Sequence, residues 1–249
     1  MTHLARCLSK ICLSVALAGS FTFFAEEASA QPALFYDWAQ DLVDNVGPSN
    51  NDYGTSPFFI KWAGIGGSMQ YENRTLCSNF LTALLQHAYH LSPEDIRVWT
   101  GSTSPNALKY YQTIVAQRGF TRIQQLAELE PGDIIAIRYT TGTSASGHLS
   151  IVEDYPSWRA STSPMVSGTV QYEVAIMDST ERGHGEGDSR LQADGVTWNK
   201  GAGRGTMRFY ADANSGVIVG HTWSLSPYSV FYNMSERTVA VGRLDENQM

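Results

Sequence analysis

The sequence predicts an α+β fold in which a cysteine-bearing helix packs on an antiparallel β-sheet, with extra strands towards the C-terminus. Three observations lead there. Up to about residue 130, apolar residues recur at three- and four-residue spacing, which gives helices one face to bury. Past Pro131-Gly132, a turn signal, the apolar residues fall into period-two or continuous runs, as strands require. Finally, the most regular helix begins with a cysteine, and the later strands carry a histidine and an aspartate at their ends.

Residues 1–30 have the layout of a secretory signal. Arg6 and Lys10 precede a mostly apolar run over 11–24, and Ala28-Ser29-Ala30 fits the small-x-small cleavage pattern. The run is short for a bilayer span, so the reading is an exported protein without a transmembrane anchor. Residues 31–249 are then a single domain, helical over about 31–130 and β over about 131–249. Cys7 and Cys12 leave with the signal, so Cys77 stands alone and forms no internal disulfide. The net charge is −7, with no basic stripe, which argues against a nucleic-acid partner.

A first helix is expected over 32–46, with Leu34, Trp38, Leu42 and Val46 on its buried stripe and Gly47-Pro48 ending it. Residues 49–56 read as turns, and the glycine cluster Gly64, Gly66 and Gly67 leads towards the second helix. In that helix Leu81, Leu84, Leu85 and Ala88 form the apolar face, and either Asn73 or Thr75 serves as N-cap. Both choices leave Cys77 in the first turn, where unpaired backbone N–H groups and the helix dipole favour a thiolate. His87 and His90, further along, read as solvent-facing or core-edge residues. Residues 91–103 look turn-rich. Ser104-Pro105 then starts another helix, with Leu108, Tyr111, Ile114 and Val115 as its buried face and Gly119 as its stop.

Strands are expected over 134–139, 148–153 and 172–178, with residues 155–171 as a surface excursion. If the second and third of these pair antiparallel, the start of one lies beside the end of the other. His148 and Asp178 then meet at one edge of the sheet. A thiol, an imidazole to take its proton and a carboxylate to fix the imidazole's tautomer are the parts that nucleophilic catalysis needs. The catalytic candidates are therefore Cys77, His148 and Asp178. Residues 181–205 read as a glycine-rich solvated loop; His184, Glu186 and Asp188 alternate within it but are not taken as a metal site, and no cofactor is expected. A hairpin over 206–223 and a last strand over 237–243 extend the sheet. Trp198, Phe209, Tyr210, Trp223, Tyr228 and Phe231 supply aromatic material, most of it for the core.

Three segments together resemble the NlpC/P60 branch of the papain-like cysteine peptidases. They are Leu76-Cys77-Ser78-Asn79-Phe80, then Glu130-Pro131-Gly132-Asp133, then Gly147-His148-Leu149. The resemblance covers about half of the mature chain. Leu76 stands where that branch has an aspartate, and Asn79 where it has a glycine. It implies a papain-like NlpC/P60-type fold and hydrolysis of amide bonds in cell-wall (peptidoglycan) peptides, by an exported, periplasmic or secreted enzyme. By analogy with upstream residues in similar enzymes, Tyr71 or Gln70 would help the Cys77 N–H hold an oxyanion, with Asn79 nearby. A transglutaminase-like acyl transferase shares the order cysteine, histidine, aspartate. A non-catalytic wall-binding protein on the same scaffold is the reading from another class.

Overall fold

A computed structural model describes residues 33–141 and 145–248. The expected signal, residues 1–30, lies outside the described residues. From residue 32 onward the chain forms one compact unit. Among the described residues, no helix is long and apolar enough to cross a membrane.

Four helices come early: α1 (Leu34–Asn45), α2 (Cys77–Tyr89), α3 (Pro93–Thr100) and α4 (Ala107–Val115). Between α1 and α2 lies a three-stranded sheet. In it β3 (Glu72–Thr75) pairs parallel with β1 (Asn51–Tyr53) and antiparallel with β2 (Ile60–Lys61). The remaining strands are β4 (Phe120–Ile123), β5 (Ile134–Tyr139), β6 (Gly147–Val152), β7 (Ser157–Arg159), β8 (Thr169–Thr180), β9 (Gly201–Asp212), β10 (Ile218–Thr222), β11 (Phe231–Asn233) and β12 (Arg237–Leu244). They form one antiparallel sheet in the order β11-β10-β9-β8-β6-β5-β12-β4, with β7 beside β8. The last strand is therefore central, between β5 and β4, rather than an addition at the edge.

The sheet curls. β10 and β11 come back against β12, and residues 124–126 bond to Gly216 and Ile218 at the start of β10. Because strand side chains alternate between faces, each strand supplies two cores. Ile134, Ala136, Leu149, Ile151 and Met177 pack under α1, α2 and α4 on the outer face. Ile135, Ile137, Val152, Val174, Ile176, Met207, Phe209 and Val239 fill the inner face. His148 and Asp178 share the even-numbered parity of Val152, Val174 and Ile176, so they stand on the inner face at one end of it. The expected strand over 134–139 is found at those residues, entered from a turn in which Asp133 accepts from the Glu130 N–H at 2.9 Å and pairs with Arg243.

Several expectations are corrected. α1 buries Phe35, Tyr36, Ala39 and Leu42, while Leu34 is exposed, so the buried face is turned by about one residue. Residues 91–103, expected as turns, contain α3, started by a capping box between Ser92 and Asp95. α4 begins later than Ser104-Pro105 implied, with Asn106 as its cap, and leaves Val115 exposed. Residues 49–56 contain β1, so the first half is not wholly helical. β9 begins at Gly201, inside the stretch expected as loop. Phe209 and Tyr210 are core residues, and Tyr228 is exposed.

Candidate functional site

Cys77 is the first residue of α2. Its cap is Leu76, with no side-chain hydrogen bond, because Asn73 and Thr75 belong to β3 instead. That strand is pinned to its surroundings. Asn73 donates to Asn51 Oδ1 at 2.9 Å, Asn51 bonds both backbone groups of Ala202, and Ser179 Oγ donates to the Thr75 carbonyl at 2.9 Å. The helix start is thereby tied to β8 and β9, two residues before the cysteine. Cys77 is a free thiol and keeps 6% of its surface exposed.

His148 follows a glycine for a steric reason. Gly147 has φ +151°, and a Cβ there would lie 1.9 Å from the Ile137 carbonyl oxygen. The close approach of β5 and β6 sets the imidazole at the sheet end, where Nε2 lies 2.6 Å from Asp178 Oδ2. Cys77 lies within electrostatic reach of the same ring. Burial alone would push the His148 pKa down. Negative charge at Cys77 and the Asp178 hydrogen bond outweigh it and raise the value to about 9. The structure thus brings Cys77, His148 and Asp178 together, with the imidazole in the middle.

Asp178 is fully buried and held by more than His148. Arg190 Nη1 donates to its Oδ1 at 2.7 Å, and His184 Nε2 lies 2.9 Å from its Oδ2. Burial opposes ionisation, but Arg190, then His184 and His148, hold the carboxyl well below the usual carboxylate range. Arg190 is clamped in turn by both oxygens of Asp188, at 2.9 and 2.8 Å. Asp188 also accepts from the His184 backbone N–H, and His184 Nδ1 faces the Trp223 carbonyl oxygen at 2.8 Å. The loop read as solvated therefore has His184, Asp188 and Arg190 buried around the aspartate, while Glu186, in the same alternating series, faces water. The Trp223 indole stacks on His184 at 4.3 Å and sets its edge on His148 at 4.8 Å, screening the pair from solvent.

His148, Asp178 and His184 offer ligand atoms that lie within 4.8 Å of one another, a geometry open to a metal ion. The guanidinium of Arg190 already shares Asp178, and a second cation there would meet its repulsion. The arrangement serves better as a support for the His148 imidazolium.

Beside His148 opens a cleft of about 540 Å³, walled by Tyr53, Tyr139, Gly147, Thr180, Glu181, Arg182, Trp223, Val230, Tyr232 and Arg237. The oxyanion and substrate candidates read from the sequence do not reach it. Tyr71 donates to Asp41 on α1 at 3.1 Å. Gln70 lines a different depression with Trp62 and His87, and so does the glycine cluster. Asn79 donates to Ser104 and lines a third, with Phe58 and Thr82. The tyrosines that do line the cleft are Tyr53, Tyr139 and Tyr232, and the pKa of the Tyr53 hydroxyl is raised by burial and then by charge at Cys77 and Asp178. Nothing in the local sequence marks Tyr53, since β1 is three residues long and shows no alternation. Arg190 did leave a trace, continuing the period-two series His184, Glu186, Asp188.

Compared with known proteins, the chain is 33% identical over 218 residues to the uncharacterized protein R653 of Acanthamoeba polyphaga mimivirus. That match spans 84% of this chain and 95% of the viral one. No family model matches the chain, and no solved structure does.

Proposed function

This chain belongs to the family of the mimivirus protein R653, and we propose that it is a cysteine hydrolase that cuts amide bonds with Cys77, His148 and Asp178. The observation that carries the reading is His148, bonded at 2.6 Å to the buried Asp178 carboxylate and within electrostatic reach of Cys77 at the start of α2. An imidazole fixed between a thiol and a buried anion can take the thiol proton and keep it. The Cys77 sulfur then attacks the amide carbonyl carbon. The helix-start N–H groups stabilise the oxyanion, and the tetrahedral intermediate collapses as the C–N bond breaks and His148 gives its proton to the leaving nitrogen. Water next attacks the thioester, His148 takes one of its protons, and a carboxylic acid leaves as the sulfur is released.

The resemblance at Cys77, Asp133 and His148 supports a divergent papain-like enzyme of NlpC/P60 type. With the signal-like residues 1–30, it supports an exported enzyme acting on cell-wall peptides. Wild-type protein and Cys77→Ala are incubated with purified wall fragments and the products are read by mass. Cleavage by wild-type alone, adding one water across a single amide, is expected. Cleavage that survives in Cys77→Ala would sink the reading, and transfer of the acyl group to an amine would redirect it to a transferase. Iodoacetamide gives an independent readout. Cys77 should alkylate far faster than N-acetylcysteine below neutral pH, by about two orders of magnitude, and lose that advantage in His148→Ala.

A further inference from the structure

In a chain of net charge −7, the wall of the cleft beside His148 carries two arginines, Arg182 and Arg237, against one carboxylate. Its wall carboxylate, Glu181, is occupied by Lys200 at 3.0 Å. Arg182 and Arg237 have no acidic partner among the described residues. Arg237 is built into place: its guanidinium lies over the Tyr139 ring at 4.2 Å and over the Tyr232 ring at 3.5 Å. Two ring contacts hold a guanidinium in place and strip water from it. A guanidinium held in this way offers its N–H fork to a carboxylate, which accepts two parallel hydrogen bonds.

We infer that Arg237 anchors a carboxylate of the substrate, so that the enzyme takes peptides bearing a free carboxylate close to the bond it cuts. The inference rests on the hydrolase reading and adds the substrate's charge to it. The register sets the distance. Arg237 pairs with Tyr139 across β12 and β5, and His148 pairs with Ile137 across β5 and β6. Two strand spacings across the sheet and the two residues from Ile137 to Tyr139 along it put the two backbone positions about 12 Å apart, and an extended peptide advances about 3.4 Å per residue. The anchored carboxylate thus falls within about three to four residues of the scissile carbonyl. Arg182, at the exposed end of β8, adds to the field that draws an anion in.

The test uses iodoacetyl peptides of one, two or three glycines, each ending either in a free carboxylate or in a carboxamide, on the full chain. The measured quantity is the ratio of Cys77 alkylation rates, acid over amide, at each length. The imidazolium of His148 favours the acid most at the shortest length, so a maximum at a longer one is the mark of Arg237. Expected is a maximum of about tenfold at one length, absent in Arg237→Gln and partly kept in Arg237→Lys. A ratio with the same length profile in wild-type and Arg237→Gln overturns the inference. Should Arg237→Gln fail to fold, the wild-type profile decides: a ratio that only declines with length overturns the inference equally. Failure of the hydrolase reading is seen separately, as wild-type amide rates no faster than those of N-acetylcysteine.

Discussion

On the proposed mechanism, His148 acts on a substrate only while it holds the proton it will give to the leaving nitrogen. Its Nε2 is committed to Asp178, which leaves Nδ1 for the sulfur. With the folded-state pKa raised to about 9, the imidazolium persists through neutral pH and is lost as the pH rises past that value. Acylation, measured as single-turnover release of the leaving amine, should therefore fall on the alkaline side with an apparent pKa near 9. In Asp178→Asn that limb should move down towards the ordinary histidine range, because the amide cannot support the imidazolium. An alkaline limb that stays in place would show that Asp178 does not govern the proton. At this scale the sequence exposes Cys77, His148 and Asp178 because each sits at the end of an element with a strong apolar pattern. Tyr53 and Arg237 are silent there. What places them in the cleft is the pairing of distant strands, and no local spacing encodes it.

Among the elements, residues 184–190 have an unusual seat. Gly203 and Gly205 lie on β9 opposite Asp178 and Ile176, and their missing side chains leave room for the loop to lie on the inner face, while Gly201 gives the same room to Asn51 and Asn73. A Cβ on Gly205 would come within 2.7 Å of Asp188 Oδ2 and of His184 Cδ2, both buried and neither free to swing away. Gly205→Ala should cost about 1–3 kcal/mol through overpacking, seen as a drop of roughly 2–12 °C in Tm. Cys77 alkylation should slow with it, since His184 would be displaced from Asp178. Gly47→Ala is the control, with open space around its Cβ. Equal stability and reactivity in the two variants would mean that the loop does not seat the aspartate. The period-two glycines and the period-two polar residues upstream are both visible in the sequence. Their meaning is not, because a glycine-rich polar run reads as solvated until β8 and β9 are known to pair along their whole length.

Across the whole molecule, the helices-then-strands order was legible because each half keeps one hydrophobic period for long stretches. β1, β2 and β3 were not, since strands of two to four residues are too short to show a period and are held by asparagine side chains instead. The curl of the sheet was equally hidden, and it creates a burial that has consequences for stability. His221 on β10 is enclosed between Phe209 and Tyr232, and neither of its ring nitrogens has a partner among the described residues. Burial first, then the positive charges of Arg237 and His148, lower its pKa to about 3. Unfolded, the same ring titrates near 6.5. Between those values the unfolded chain binds the extra proton, so this histidine's contribution to stability is full above about pH 6.5 and is lost as the pH falls towards 3. His148 has the opposite sign: its raised pKa adds stability below about 6.5 that is lost only on the alkaline side, so it does not tilt the acid window. Asp178 enters below the ordinary carboxylate range, and His87, lowered by burial and by His90, adds a smaller slope in the same direction as His221. The window from pH 6.5 to 4.5 therefore isolates the buried histidines. There, urea unfolding of the wild-type should lose up to about 1.4 kcal/mol per pH unit to His221. In His221→Leu that share of the slope should vanish, so the wild-type should lose stability relative to the variant as the pH falls. Parallel curves would mean that water reaches the ring and that the curled sheet is more open at β10 than its packing implies.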